Sequence, residues 1–221
     1  MGKTKVLILF GGRSAEHEVS VVSARSVYEA LDRNRYMPIL VGIARDGEWF
    51  HDGPDDRLLS AKIVEGRSES FVRLGSNVGE LVNRHGVVLE DGRFDVVFPL
   101  LHGPYGEDGC IQGLFELQGL PYVGAGVAAS AVGMDKELSR AVFTAAGLRQ
   151  TEYRVIRRSH WHDNPDSVLN DLQQALTYPL FVKPVNLGSS VGISKVYNSS
   201  QLVDAVDLAG AYDTKIIVEA S

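Results

Sequence analysis

The feature that most constrains this chain is an uninterrupted apolar run, Val6 to Phe10, which stops at Gly11 and Gly12. Five apolar residues without polar alternation are typical of a strand buried on both faces, as in a parallel sheet. From Glu18 onward the apolar residues fall near helical spacing, and a second apolar run follows at 37–43. The order strand, turn, helix, strand predicts an α/β fold that opens on a parallel sheet.

The remaining pattern differs between the two ends of the chain. Residues 94–101 predict another buried strand and 111–118 a helix, whereas 46–50 predict a hairpin and 52–91 peripheral strands and loops. Further strands are predicted at 122–123, 153–157, 180–183, 193–196 and 215–219, and further helices at 136–146, 167–175 and 200–208. We therefore expect an N-terminal α/β domain over residues 1–134 and a second unit of alternating strands and helices over 135–221.

Composition restricts the classes of binding partner and the cellular compartment that the sequence favours. Twenty-two Lys and Arg against 28 Asp and Glu give a net charge of -6 without a basic block, which disfavours nucleic acid as a partner. The single cysteine, Cys110, has no partner for an internal disulfide, and the sequence contains neither an 18-residue apolar run nor a signal-peptide pattern. We expect a cytoplasmic protein without a membrane span, and we interpret Cys110 as structural.

Two polar, glycine-containing loops follow predicted buried strands, the position at which open α/β sheets bind ligands. In the first loop, Ser14, Glu16 and Glu18 are placed to cap the following helix or to face the amine of a ligand. The second loop, residues 102–109, places His102 among three glycines and a proline at a strand end. Helix capping and a purely structural loop are the alternatives to ligand binding.

A third loop has a composition suited to phosphate. Lys183 stands at the end of a predicted strand, and the Gly- and Ser-rich segment 184–192 leads into another strand. Exposed backbone N–H groups and one fixed ammonium group are suited to phosphate oxygens. The segment is not a Walker A loop, because its lysine precedes the glycines and no helix follows. A flexible hairpin with an incidental lysine is the alternative.

Two other motifs are weaker evidence for a binding site. Residues 124–129 match the G-x-G-x-x-A pattern of dinucleotide-binding folds, but only Glu152, a loose match, stands near the position of the expected acidic residue. We interpret this segment as a tight structural turn. His160 and His162 lack a third metal ligand at suitable spacing, so we interpret residues 160–163 as a polar loop.

Five segments, taken in order and with their spacing, resemble the D-alanine–D-alanine ligases of the ATP-grasp superfamily. They are GGRSAEHEVS, HGPYGEDG with the following IQGLFELQGLPYVGAG, MDKELSR, FVKPVNLGSSVGISKV and IIVE. The resemblance implies an N-terminal Rossmann-like (pre-ATP-grasp) parallel-sheet domain, followed by the first α+β half of an ATP-grasp fold. It also implies that ATP and Mg²⁺ serve to join two D-alanines through a D-alanyl phosphate for peptidoglycan synthesis, and that the protein is a homodimer.

The resemblance further implies roles for particular residues. Glu16 would hold the ammonium group of the first D-alanine, with His102 beside it, and Ser189 would link to Glu16 and orient the substrates. Lys136 and Lys183 would contact the phosphates of ATP. The segment at the adenine ring would include Glu219, and the phosphate lid would include Gly188, Ser189, Ser190 and Gly192.

The family pattern continues beyond Ser221. In the family that further portion carries the Mg²⁺ ligands, the arginine that stabilises the tetrahedral intermediate and a loop tyrosine. We therefore expect the chain to be a truncated portion that is inactive alone. The alternatives are another ATP-grasp carboxylate–amine ligase, or a module that binds its ligand without turnover.

Overall fold

The chain folds into two compact units, Met1–Ser130 and Ala131–Ser221. The computed structural model describes residues 2–51, 53, 56–65, 71–74, 79–188 and 190–221. The sequence predicted a domain boundary four residues later, between residues 134 and 135. The assignment of substrate binding to the first unit and of an ATP-grasp role to the second stays a prediction. Within the described ranges no helix is long and apolar enough to cross a membrane.

The first unit is a mixed sheet with helices. Its elements are β1 (Thr4–Gly11), α1 (His17–Ala30), β2 (Tyr36–Ile43), β3 (Trp49–Phe50), α2 (Arg57–Ser60), β4 (Phe71–Leu74), β5 (Glu80–Asn83), β6 (Val88–Arg93), β7 (Val96–Pro99), α3 (Cys110–Leu117) and α4 (Val127–Met134), the last of which continues into the second unit. The strand order is β6-β5-β4-β3-β2-β1-β7. Strand β1 pairs in parallel with β2 and β7, and the strands from β3 to β6 continue the sheet in antiparallel fashion.

Strand β1 explains why the apolar run shows no alternation. Leu7 and Leu9 belong to a core cluster that includes residues of α3, whereas Ile8 and Phe10 belong to another that includes residues of α1. All four side chains are fully buried. Burial of each is worth about 1.5 to 3 kcal/mol relative to exposure, so both faces of the strand stabilise the unit. The predicted parallel sheet and the hairpin at 46–50 are confirmed.

The second unit is a smaller, wholly antiparallel sheet with helices. Its elements are α5 (Lys136–Ala145), β8 (Tyr153–Arg157), α6 (Arg158–Asp163), α7 (Pro165–Ala175), β9 (Leu180–Pro184), β10 (Ser194–Val196), α8 (Ser199–Tyr212) and β11 (Lys215–Ala220). The strand order is β10-β9-β11-β8. Ile216 and Val218 of β11 and Val182 of β9 pack into a core that includes residues of α6, α7 and α8.

Alternation along β9 and β11 gives this sheet a second, polar face. Val182 pairs with Val218, and Lys183 pairs with Ile217, so Lys183 lies on the face opposite the core. Glu219 lies two residues after Ile217 and therefore shares the face of Lys183. Glu219, the one polar residue of the segment IIVE, thus lies opposite the core into which Ile216 and Val218 pack.

Three predictions about local structure were wrong. Residues 160–163, expected as a polar loop, lie in α6, because Trp161 is buried and its Nε1 donates a hydrogen bond to Asp207 Oδ1 at 2.6 Å. The segment 122–123 makes only an isolated parallel bridge, between Val97 and Tyr122, rather than a strand. The predicted turn at 124–129 ends early, because α4 begins at Val127.

Candidate functional site

The loops after β1 and β7 are tied to one another at the carboxyl ends of these neighbouring strands. Ser14 Oγ donates a hydrogen bond to the carbonyl oxygen of His102 at 2.7 Å. Ser20 Oγ accepts from the N–H of Gly11 at 2.7 Å and donates to the carbonyl of Leu100 at 2.6 Å. One hydroxyl group in the loop before α1 and one in the first turns of that helix therefore fix the relative positions of both loops.

His17 supports the first loop from inside the unit. It is fully buried, and its Nε2 accepts a hydrogen bond from the backbone N–H of Val64 at 2.9 Å. The ring proton therefore resides on Nδ1, which donates to the carbonyl of Gly12 at 2.6 Å. Sequence reasoning missed this role, because the contact with Val64 spans 47 positions of the chain.

Glu16 and His102 lie close together in the first unit, as expected for a ligand site. Glu16 occupies the N-cap of α1, and its half-buried side chain makes no capping hydrogen bond to the described backbone of that helix. Its Oε2 packs against Gly103, where an added Cβ would come within 2.5 Å of it. His102 Nε2 lies 2.9 Å from Ser23 Oγ. By contrast, Glu18 pairs with Arg45 at 3.7 Å on the exposed surface.

The acidic residues of the second loop bind its own backbone. Glu107 Oε2 accepts from the N–H of Gly103 at 2.7 Å, and Asp108 accepts from the N–H groups of Tyr105 and Cys110 at 2.8 and 3.0 Å. Through these hydrogen bonds, the two carboxylates stabilise the conformation of the loop. Partial desolvation and the neighbouring Asp108 raise the pKa of the Cys110 thiol, which disfavours a thiolate. The side chain is exposed, and its structural role stays a prediction.

A cavity of about 280 Å³ lies between these two loops. Its lining includes Gly12, Trp49, Leu101, Pro104 and Ile111, so its walls are mainly apolar. Cavities with mainly apolar walls are common at the carboxyl ends of parallel strands, where ligands bind.

The polar face of the second unit gathers cations around one carboxylate. Lys183 Nζ forms an ion pair with Glu219 Oε1, and Arg140 Nη2 forms one with Glu219 Oε2. The Glu219 side chain is only 9% exposed. A buried carboxylate that is bound at both oxygens has a fixed orientation and a charge that each cation partly neutralises.

Lys136 supplies a further cation from the start of α5. Its Nζ donates to the carbonyl oxygens of Val185 and Leu187 at 3.2 and 2.5 Å. Burial lowers the pKa of the Lys136 ammonium, and the positive charge of Lys183 lowers it further, although Asp213 and Glu219 act in the opposite direction. Mutual repulsion between two lysines is relieved by a bound anion, so this face is suited to phosphate.

The loop between β9 and β10 consists of tight turns. The N–H of Val191 donates to the carbonyl of Gly188 at 3.2 Å, and the N–H of Ile193 donates to that of Ser190 at 3.4 Å. Ser190 is exposed and has a positive φ of 62°. At Gly192 (φ 69°) an added Cβ would come within 2.8 Å of Pro184. Ser189 lies outside the described residues.

Several supporting residues in the second unit were missed. Asp135 caps α5 by accepting from the N–H groups of Glu137 and Leu138 at 2.9 and 3.0 Å, and it pairs with Lys215. Burial would raise the pKa of Asp135, but hydrogen bonds from Lys215 and these N–H groups hold it below its ordinary value. An Asp directly before a predicted helix is an N-cap signal that the sequence did contain. The pairing with Lys215, 80 positions away, left no local signal.

Comparison with known proteins identifies the class of this fold. The VanG D-Ala:D-Ser ligase from Enterococcus faecalis is similar to it with a TM-score of 0.85 and 35% identity, over 100% of this chain and 63% of that chain. The D-alanine–D-alanine ligase from Coxiella burnetii is similar with a TM-score of 0.82 and 32% identity, over 99% and 64%. The expected α/β fold with a partial ATP-grasp unit is thereby confirmed.

The family follows from sequence models. Residues 5–125 match the model described as "D-ala D-ala ligase N-terminus", and residues 142–221 match "D-ala D-ala ligase C-terminus". The chain belongs to the D-alanine–D-alanine ligase family. The D-alanine–D-alanine ligase of Heliobacterium modesticaldum is 45% identical over 99% of this chain. The chain spans about 60% of the length of that relative.

Proposed function

We propose that the protein provides the first-substrate site and the phosphate-binding site of a D-alanine–D-alanine ligase. The reaction joins two D-alanines at the expense of ATP and serves peptidoglycan synthesis. The observation that carries the proposal is the pair of lysines in the second unit, Lys136 at the start of α5 and Lys183 on the polar face of the sheet, whose positive charges act on one another. We also propose, from the family resemblance, that the protein is a cytoplasmic homodimer.

The phosphate role rests on the electrostatics of that pair. Transfer of a phosphoryl group depends mainly on positioning and charge neutralisation, because the protein contributes little covalent chemistry. Lys183 is 21% exposed while paired with Glu219, and a lysine ammonium has three donors. It therefore keeps N–H groups for phosphate oxygens. The turns at Gly188, Ser190 and Gly192 follow directly after Leu187, whose carbonyl accepts a hydrogen bond from Lys136.

The substrate role rests on Glu16. A carboxylate is suited to the ammonium group of an amino acid, and the family resemblance gives that role to Glu16. His102 stands beside it, and Ser14 and Ser23 hold the backbone and ring of that histidine. We therefore assign the first D-alanine to Glu16 and His102. A role for Ser189 in orienting the substrates is part of the same proposal.

The metal has no assigned ligands in this chain. Mg²⁺, when bound, neutralises charge on phosphate oxygens. The described residues contain no group of three or more His, Cys, Asp or Glu side chains that could hold a metal ion. The residues present thus do not fit a complete magnesium site, and no step is assigned to the metal.

A phosphate-release assay with ATP and Mg²⁺ tests the proposed function. We would run it on the protein expressed from its full reading frame and on the 221-residue chain, with D-alanine, D-serine or L-alanine as the amino acid. Release that depends on D-alanine supports the proposal. Release with L-alanine alone indicates another carboxylate–amine ligase. Binding of ATP or D-alanine without turnover by the full product indicates a binding module.

A control separates catalysis from contaminating ATPase activity. Lys183→Ala in the full product should abolish most of the D-alanine-dependent release, whereas a contaminant's activity would persist unchanged. The product should be identified as D-alanyl-D-alanine by mass spectrometry. The expectation that the 221-residue chain alone forms no dipeptide stays a prediction, and dipeptide formation at the rate of the full product would contradict it.

A further inference from the structure

Helix α5 presents a second cation one turn after Lys136. Arg140 stands four residues later, so the two side chains project from the same face of the helix. Lys136 donates to the carbonyls of Val185 and Leu187 after β9, and Arg140 pairs with Glu219 of β11. The helix is thereby joined to the polar face of the sheet at two points.

Arg140 is held by three different contacts. Its Nη2 pairs with Glu219 Oε2, its Nη1 donates to Thr151 Oγ1 at 3.2 Å, and its Cζ lies 4.9 Å from the centre of the Tyr153 ring. The side chain is 17% exposed. A planar guanidinium that is fixed by a hydroxyl and an aromatic ring presents its remaining N–H groups in one direction. Here that direction is toward Glu219.

Glu219 therefore divides its two oxygens between two cations. Oε2 accepts from Arg140 and Oε1 accepts from Lys183. If Arg140 were absent, both oxygens would be available to Lys183, and the remaining pair would carry no net charge. The ammonium group would then be held more firmly by the carboxylate and would attract an anion less strongly.

We propose that Arg140 is a positioning residue for phosphate binding, which acts by occupying one oxygen of Glu219 so that Lys183 keeps donors for a phosphate oxygen. This inference rests on the proposed function, because it requires ATP phosphates to bind at Lys183. It gives a role to Arg140, the last residue of the segment MDKELSR, to which the resemblance assigned none. A purely structural Arg140 would instead anchor α5 without any preference for the phosphate groups of a ligand.

Calorimetric binding of ATP and of adenosine to the protein distinguishes these two roles. Arg140→Met should weaken ATP binding about tenfold, since one charge-dependent contact is impaired. Adenosine binding should fall clearly less than ATP binding, because adenosine has no phosphate and can respond only through the adenine segment that includes Glu219. Arg140→Lys keeps a positive charge near Glu219 and should recover most of the ATP affinity. Arg154→Met removes an exposed arginine of β8 and should leave both affinities unchanged.

A double-mutant cycle tests whether Arg140 acts through Glu219. In a Glu219→Gln background, Arg140→Met should alter ATP affinity less than twofold, because the shared carboxylate is already gone. Thermal melting checks that each variant folds, and Arg140→Lys and Glu219→Gln provide the comparison if Arg140→Met unfolds. Their ATP and adenosine affinities can be compared without that variant.

Three results would overturn the inference. The first is an ATP affinity of Arg140→Met within twofold of the original protein. The second is an equal loss of ATP and adenosine affinity, which indicates a structural anchor. The third is an undiminished effect of Arg140→Met in the Glu219→Gln background. Failure of the unmutated protein to bind ATP would instead refute the ATP site of the proposed function, and the role of Arg140 with it.

Discussion

The two units of the molecule hold their candidate site residues by different means. In the first unit, hydroxyl groups and backbone carbonyls fix the loops around Glu16 and His102. In the second, ion pairs on a sheet face and a helix start fix Lys183 and Glu219. The first site therefore depends on backbone conformation, and the second depends on charge balance.

This difference predicts different responses to substitution. A change of backbone conformation should damage the first site even when no charge is altered. A change of charge should damage the second even when the backbone stays in place. Substitutions in each unit test this difference when the affinities for both D-alanine and ATP are measured for every variant.

Lys183→Ala should have the largest effect. Removing the ammonium group that is proposed to contact the phosphates costs about 2 to 4 kcal/mol in binding, so the affinity for ATP should fall roughly 30- to 1,000-fold. In the full product, KM for ATP should rise and kcat should fall. Titration calorimetry and steady-state kinetics measure these values. D-alanine affinity should be unchanged, and ATP parameters within twofold of the original would refute the assignment.

Glu16→Gln should have the next largest effect, on the other ligand. The neutral amide loses a charge-assisted contact with the substrate ammonium, worth about 1.5 to 3 kcal/mol, so D-alanine affinity should fall roughly 10- to 150-fold. Calorimetry with D-alanine measures the loss, and ATP binding provides the internal control. Unchanged D-alanine affinity in a normally folded variant would remove Glu16 from the site.

Gly103→Ala tests the dependence of the first site on backbone conformation, because the substitution changes no charge. The residue has a φ of 73°, and the new Cβ would meet the Glu16 carboxylate. Such strain costs about 1 to 3 kcal/mol, and displacement of Glu16 should weaken D-alanine binding in parallel. Chemical denaturation and D-alanine titration provide the two readouts. A matched Gly113→Ala on α3, where an added Cβ meets nothing within 4 Å, should be tolerated.

Asp135→Asn tests the charge dependence of the second unit. Asparagine caps helices as well as aspartate, so the substitution removes mainly the charge opposite Lys215, with an expected loss of about 1 to 2 kcal/mol near neutral pH. Because the folded-state pKa of Asp135 is lowered, its stabilisation is present above the ordinary carboxyl pKa and disappears as the pH falls through the folded-state pKa. Melting temperatures of both proteins should therefore converge in acid. A pH-independent difference would contradict the charge mechanism.

Cys110→Ser should have the smallest effect. The thiol is exposed, and its raised pKa leaves it uncharged near neutral pH, so the free energy of unfolding should change by less than about 0.5 kcal/mol. Denaturant unfolding and D-alanine titration should give values within error of the original protein. A large loss of D-alanine affinity would show that the thiol takes part in the site.

The parts predicted from sequence are those with a local pattern. The run from Val6 to Phe10 predicted a doubly buried strand, because each face of β1 has its own core. The positions of Glu16 and His102 followed from strand ends. Arg140 stands in the segment MDKELSR, but its pairing with Glu219 could not be found in this way, because the two residues lie 79 positions apart. Helix α6 was missed because one buried side chain, Trp161, outweighs a polar local composition.

The alternation along β11 makes the proposed nucleotide binding a measure of correct refolding. A slip of one residue would turn Glu219 toward the core and Val218 toward Arg140 and Lys183. A chain trapped in such a register could retain strand content, yet it would lack the carboxylate that organises these cations. After dilution from denaturant, recovery of ATP affinity should therefore coincide with native pairing of β11 and follow any earlier recovery of secondary structure.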